Sequence, residues 1–112
     1  MANFKNGIIR AGSSVGTGKT LGNIKKGVIK NGASLGSGKA IGNVKNGVVK
    51  DGPSKGSGKP LFNVKVEKVK DGSSLGSGKI IGKVKDFSIR GMERELDAEM
   101  VATYHFFIKK IV

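Results

Sequence analysis

The segment of this sequence that most resembles a chemical motif is a glycine-rich run ending in Gly18-Lys19-Thr20. A phosphate-binding P-loop ends in Gly-Lys-Ser or Gly-Lys-Thr, because its lysine reaches the phosphates and its hydroxyl binds magnesium. That motif also needs a glycine five residues before the Gly-Lys pair, where this chain has Ser13. Three further copies of the run replace the hydroxyl residue by Ala40, Pro60 and Ile80. The pattern therefore argues against nucleotide hydrolysis.

Other residue types that could carry catalysis or bind a metal are few. His105 is the only histidine, and the chain has no cysteine that could join it in a metal site. The acids near the C-terminus occupy alternate residues, so on a helix they fan around the axis and form no catalytic pair. We predict no catalytic residue, no cofactor and no metal site, and we interpret His105 as a structural residue.

The basic residues are the most informative group. The net charge is +13, and residues 1–91 hold 18 Lys and Arg against four acids, a net charge of +14. Most of these bases fall into three sets that recur at twenty-residue intervals. The sets are Lys5, Lys25, Lys45, Lys65 and Lys85; Arg10, Lys30, Lys50, Lys70 and Arg90; and Lys19, Lys39, Lys59 and Lys79.

Two interpretations of these sets remain open. Solvent-facing lysines keep the edges of strands from pairing with other chains. Alternatively, rings of lysines bind phosphate or sulfate groups of a polyanion, with nucleic acid as the expected target. The candidate anion-binding residues are Lys19, Lys39, Lys59 and Lys79.

The elements that carry these residues are four sequence repeats of twenty residues, starting at Phe4. Each repeat contains a short turn, as at Asn6-Gly7, between runs of β-branched residues, and Asn-Gly is typical of a type I′ hairpin. A longer connection follows at residues 11–18, 31–38, 51–58 and 71–78, which we name the glycine loops. In these loops we expect Leu35 and its equivalents to tuck underneath. The hairpins predict pairing of residues 28–31 with residues 39–45, rather than the parallel stacking of a solenoid.

Apolar residues also recur at three positions of the repeat. They are Ile9, Ile29, Val49 and Val69; Leu21, Ile41, Leu61 and Ile81; and Phe4, Ile24, Val44, Val64 and Val84. One repeat cannot bury these residues alone, so the repeats are expected to share one core. Glycine within a strand often marks a bulge, which we expect near Gly22, Gly42 and Gly82. Phe62 and Val66-Glu67 interrupt the repeat.

The C-terminal segment differs in kind from the repeats. Residues 92–111 contain no glycine or proline, and they carry large apolar residues at helical spacing. Those residues predict a mostly buried amphipathic helix whose apolar surface is wide enough for self-association. The candidate self-association residues are Leu96, Met100, Tyr104, Phe107, Ile108 and Ile111.

Four hairpin units of the form GxVxxGxSLGSGKxIGxV, followed by one apolar helix, resemble the bacterial proteins called four-fold beta flowers. The resemblance covers nearly the whole chain, and it implies hairpins about a pseudo-fourfold axis with the helix packed on them. The family brings no established activity. We therefore expect a mostly β single domain, residues 1–112, with β-hairpin repeats in 1–91 and an amphipathic helix in 92–112.

For function, the sequence favours a non-enzymatic binding or structural interaction module that can form homo-oligomers. The alternative is a weak polyanion binder without sequence preference. The first residues lack the apolar core of a signal peptide, and no stretch approaches the ~18 apolar residues of a membrane span. We therefore expect no membrane span and a cytoplasmic protein.

Overall fold

A computed structural model describes residues 2–112. Within these residues nine antiparallel strands form one sheet, and their order in the sheet follows their order in the chain. The strands are β1 (Asn3–Lys5), β2 (Ile8–Ala11), β3 (Lys19–Lys25), β4 (Val28–Lys30), β5 (Ala40–Lys45), β6 (Val48–Lys50), β7 (Pro60–Lys65), β8 (Lys68–Lys70) and β9 (Ile80–Lys83). A 3-10 helix (Val84–Phe87) and one α-helix, α1 (Asp97–Phe107), follow the sheet.

The predicted hairpin pairing is confirmed. Across the glycine loop between β4 and β5, Val28 pairs with Asn43 and Lys30 pairs with Ala40. The expected bulges are confirmed as well: Ile9 pairs with Gly22 and Arg10 pairs with Thr20, so one residue of β3 has no partner. The same shift of register recurs in the pairings of β4 with β5, β6 with β7 and β8 with β9.

The short turns require backbone in the left-handed region. Asn6 and Gly7 have φ of 52° and 83°, as a type I′ turn demands. The side chain of Leu35 packs on Gly7, so a Cβ at residue 7 would require this leucine to shift. Leu35 therefore lies on the turn of the preceding hairpin, half-exposed, and not beneath its own loop as expected.

One face of the sheet builds the core. Ile9, Ile29, Val49 and Val69 are completely buried, and Phe4, Ile24, Val44, Val64 and Val84 are nearly so. The remaining predicted set (Leu21, Ile41, Leu61 and Ile81) is partly buried and packs against the hydrophobic core that the other two sets form. Two of the three apolar positions of the repeat thus supply most of the sheet's share of the core.

Aromatic rings cover the glycines within the strands. The ring of Phe107 lies on Gly22, and the ring of Phe106 lies on Gly42, each in the space that a Cβ would need. Phe87 lies over Gly82 less closely, with ring atoms 3.1 Å from the place of a Cβ. At the equivalent position of β7 the strand carries its own ring, since Phe62 is fully buried and packs edge-to-face on His105 with centroids 5.3 Å apart. The departure from the repeat at residue 62 is therefore part of how the helix packs.

The C-terminal helix is shorter than the predicted range of 92–111. It begins at Asp97, because Leu96 has extended backbone and residues 89–95 make turns in which Met92 N donates to Ile89 O and Glu95 N donates to Met92 O. Its buried stripe consists of Ala98, Val101, Ala102 and His105, flanked by Met100 and Thr103. Among residues 2–112, no helix is long and apolar enough to cross a membrane.

The chain returns to its first strand after the 3-10 helix. Phe4 N donates to Arg90 O at 2.8 Å, and Asn3 forms an isolated parallel bridge with Arg90. The following residue, Gly91, has φ of 94° and lies so close to Phe4 O that a side chain would collide with it. This contact ties residues 89–91 to β1.

Candidate functional site

Each glycine loop is anchored by a buried asparagine from a strand. Asn23 follows Gly22 in β3, so its side chain projects from the face opposite the core, yet it is completely buried because the loop covers it. Its Nδ2 donates to Gly32 O at 3.2 Å and to Ser37 O at 3.1 Å, and its Oδ1 accepts from Gly36 N at 3.0 Å. The residues that anchor the other loops in the same way are Asn3, Asn43 and Asn63.

A pair of hydroxyl residues closes each loop from within. Ser37 Oγ donates to Ser34 O at 2.7 Å and accepts from Ser34 N at 3.0 Å, while Ser37 N donates to Ser34 O at 3.0 Å. The equivalent pairs are Ser14 with Thr17, Ser54 with Ser57 and Ser74 with Ser77. Hydrogen bonds within the loop and to its asparagine therefore fix its shape.

This network uses amide groups that a phosphate-binding loop would leave free. In a P-loop the backbone amides point toward the phosphates. Here Gly36 N donates to the asparagine, Gly32 N to Ser37 O, and Lys39 N to Asn31 Oδ1. These amides have internal acceptors, so the glycine-rich run does not form the amide cradle that its sequence suggests.

The four candidate anion-binding lysines occupy one equivalent place, directly after each glycine loop. Lys19, Lys39, Lys59 and Lys79 are all exposed. The backbone amides of the last three donate to Oδ1 of Asn31, Asp51 and Asp71 at 2.8, 2.7 and 2.7 Å. In the first repeat the residue equivalent to Asn31 is Ala11, which offers no side-chain oxygen to Lys19 N. Binding of anions by these lysines stays a prediction.

The two other sets of bases meet at the glycine loops, which sequence reasoning missed. Lys30 Nζ donates to Gly36 O at 3.2 Å. Lys25 lies along the same glycine, with its Nζ 3.8 Å from the point where a Cβ on Gly36 would stand. Two lysines that are five residues apart on one hairpin thus converge on one loop residue. The available signal was that both sets keep a constant spacing to this glycine.

One glycine loop carries a lysine whose charge acts on a carboxylate of the helix. Lys55 stands where the neighbouring loops have Leu35 and Leu75, and its stem packs over Gly27, with Cε 3.4 Å from the place of a Cβ. Burial raises the pKa of Glu99 above its usual value of 4.5, and the nearby charge of Glu95 raises it further, whereas the charge of Lys55 lowers it. Lys55 therefore partly offsets the cost of placing a carboxylate on the packed side of α1.

His105 has a structural environment. It is buried, its Nδ1 accepts a hydrogen bond from Ile111 N at 3.0 Å, and its ring packs edge-to-face on Phe62 and Phe106. Burial lowers the pKa of His105 below its usual value of 6.5, and the charge of Lys110 lowers it further. Across residues 2–112, no group of three or more His, Asp or Glu side chains could hold a metal ion.

The six candidate self-association residues do not share one exposed face. Leu96 and Ile108 are 68% and 41% exposed, and they lie beyond opposite ends of α1. Met100 is buried, while Tyr104, Phe107 and Ile111 pack partly against the core. Self-association stays a prediction, and Leu96 and Ile108 are the most accessible of the six candidate residues.

Comparisons of this chain with protein-family models, with curated proteins and with solved structures found no significant match.

Proposed function

We propose that this chain is a non-enzymatic interaction module, a β-scaffold that holds four glycine loops in fixed shapes for contact with a partner. The observation that carries this proposal is the anchoring of each loop by a buried asparagine, which makes three hydrogen bonds to it. A loop that is ordered before binding loses less conformational entropy when it meets its partner. A loop that is ordered before binding and has exposed side chains is therefore suited to binding a partner.

The spatial arrangement that we propose is the one implied by the beta-flower resemblance, with four hairpins about a pseudo-fourfold axis. Two observations support it. The register of hairpin pairing recurs every twenty residues, and the hydrogen bond from Phe4 N to Arg90 O brings the end of the repeats back to their beginning. In this arrangement the glycine loops are distributed around the rim of the domain.

The test of the module proposal is retention of a partner by immobilised protein from native lysate, with and without nuclease. The matched control is a variant in which Lys19, Lys39, Lys59 and Lys79 are all replaced by Gln. A protein partner that is retained after nuclease treatment at a stoichiometric level is the expected result. Failure of both immobilised proteins to retain anything would contradict the proposal.

The second candidate function is polyanion binding without sequence preference. It is favoured by the exposure of Lys19, Lys39, Lys59 and Lys79 beside loops in a region of net charge +14, from 18 bases and four acids. The affinity for duplex DNA should fall steeply with salt, with a log–log slope of about −0.9 for each phosphate contacted. Fluorescence anisotropy should show a shallower slope for the quadruple Gln variant. No binding at ~50 mM salt would leave these lysines with a solubility role.

A further inference from the structure

We propose that the two lysines converging on each glycine loop form a site for a phosphate-type oxyanion, distinct from the row of Lys19, Lys39, Lys59 and Lys79. This inference rests on the polyanion candidate above and names the residues and the ligand chemistry for it. The site at the second loop consists of Lys25, Lys30 and Gly36. We name it and its equivalents the paired-lysine sites.

The geometry of the paired-lysine site recurs along the chain. Lys30, Lys50 and Lys70 donate from Nζ to Gly36 O, Gly56 O and Gly76 O at 3.2, 3.2 and 3.3 Å. The partner ammonium groups of Lys25, Lys45 and Lys65 lie 3.8, 3.5 and 3.5 Å from the place of a Cβ on the same glycines. At the first loop Lys5 takes the same position over Gly16, at 3.8 Å, while Arg10 replaces the second lysine.

The electrostatics of this arrangement call for an anion. Two ammonium groups at one glycine repel each other. The glycine carbonyl carries only a partial charge, so it does not neutralise the two ammonium groups. It also accepts from only one of the three N–H donors of an ammonium, which leaves the others for a ligand. The sequence from Ile24 to Asn43 contains four lysines and no acid, so no carboxylate within the second repeat offsets the pair. An oxyanion shared between the two lysines would convert the repulsion into two charge-assisted hydrogen bonds.

The formal charge next to the glycine loops differs from one repeat to the next. Asn31 precedes the second glycine loop, whereas Asp51 and Asp71 precede the third and fourth. All three accept the same backbone hydrogen bond through Oδ1, at 2.8, 2.7 and 2.7 Å, so the local geometry is constant while the charge differs. Among the three loops that carry a lysine pair, an oxyanion should therefore bind most tightly at the second.

Phosphate is the ligand chemistry that fits best. Lysine binds phosphate as a compact point charge, and a phosphate group offers several strong acceptors to two ammonium groups at once. The phosphate group could be free or part of a nucleic-acid backbone. The experiment below uses inorganic phosphate and a short thymidine oligonucleotide as separate probes for these two sources.

The experiment is a titration of the full-length, 15N-labelled protein with sodium phosphate at constant ionic strength, followed through the loop glycine amides. We expect the largest and earliest shift at Gly36. The double variant Lys25→Gln, Lys30→Gln should weaken phosphate binding at that loop by about tenfold or more, because each charge-assisted bond contributes a factor of that order. The other loops should keep their response. The control is Lys26→Gln, which removes one positive charge from the adjacent exposed turn residue.

A second variant tests the site by gain of binding. Asp51→Asn keeps the oxygen that accepts from Lys59 N and removes one negative charge. We expect phosphate binding at the third loop to tighten by about two- to fivefold, as for removal of one partly solvated charge. Because no contact is deleted, this variant separates a change of affinity from a loss of folding.

The outcomes separate this inference from the proposed function. Equal effects of Lys26→Gln and the double variant, or shifts centred on Lys39, Lys59 and Lys79, would overturn the paired-lysine sites. In that case salt-dependent binding of the oligonucleotide would still leave polyanion binding in place. Phosphate shifts at the loops without binding of the oligonucleotide would support the sites and assign them to a free phosphate ligand. No shift with either probe would overturn both.

Discussion

Replacement of Asn43 by alanine tests whether the buried asparagines hold the glycine loops. The Asn43 side chain is completely buried, donates to Gly52 O at 3.1 Å and to Ser57 O at 2.9 Å, and accepts from Gly56 N at 2.8 Å. The alanine variant removes all three hydrogen bonds and leaves buried carbonyl and amide groups of the loop without that partner.

The size of the effect follows from these bonds. Each hydrogen bond contributes about 0.5–1.5 kcal/mol net, so we expect Asn43→Ala to lower the free energy of unfolding by about 2–4 kcal/mol. That is a large fraction of the ~5–15 kcal/mol that stabilises a typical domain. With a urea dependence of about 2 kcal/mol per molar, the unfolding midpoint should fall by about 1–2 M. Urea unfolding followed by circular dichroism measures this shift.

Two further variants make the test specific. Asn31→Ala removes an exposed asparagine whose Oδ1 accepts one hydrogen bond, from Lys39 N, and should cost less than about 1 kcal/mol. Asn43→Asp keeps the shape but places a carboxylate against Gly52 O and Ser57 O, so near neutral pH it should destabilise more than alanine. The loss in free energy of unfolding caused by Asn43→Asp should become smaller as the pH falls, because the protonated carboxyl group regains one hydrogen-bond donor. A midpoint for Asn43→Ala that equals that of Asn31→Ala would refute the anchoring role.

Three other predictions concern the helix and its contacts. A chain that ends at Gly91 should lose cooperative unfolding and aggregate, since it exposes the core-facing side of the sheet; thermal melting that matches the full chain would contradict this. Gly42→Ala should destabilise the fold by about 1–3 kcal/mol in urea unfolding, because a Cβ there collides with the Phe106 ring. The pKa of His105 is lowered in the folded state, so the unfolded state binds its proton first as the pH falls. The free energy of unfolding should therefore fall as the pH drops below about 6.5, relative to the variant His105→Gln, and parallel profiles of the two proteins would exclude this contribution.

The hairpins and bulges could be predicted because their signals are local. Asn6-Gly7 specifies a tight turn by itself, and Gly22 marks a bulge within its own strand. The role of the strand asparagines could not be predicted, because Asn23 donates to carbonyl groups nine and fourteen residues away. Those groups lie in a loop whose conformation no short sequence pattern predicts. Asparagine is disfavoured in strands, so its recurrence every twenty residues was the one available clue.

The helix was harder to predict because its packing depends on distant residues. The spacing of large apolar residues from Leu96 to Ile111 suggested one apolar stripe, but the residues that face the core are smaller, as at Ala98 and Ala102. The larger rings fill spaces above strand glycines more than sixty residues earlier in the chain, as Phe107 does over Gly22. Sequence periodicity predicts which residues share a helix face, but it does not predict the spaces above the strand glycines into which their side chains pack.

The single ring at Phe62 has a consequence for how the chain selects one native state. Successive units offer similar surfaces with matching apolar side chains, and rings of the C-terminal helix cover Gly22 and Gly42 whereas Phe87 of the 3-10 helix covers Gly82. A helix that met identical units could dock in several orientations of similar free energy, and the chain would populate a mixture. Phe62 fills one hollow from the strand side and leaves space there for the smaller ring of His105 instead of another phenylalanine. This substitution is one of the differences between units that make the orientations unequal, so we expect a sheet built from repeats to bind its helix in one orientation.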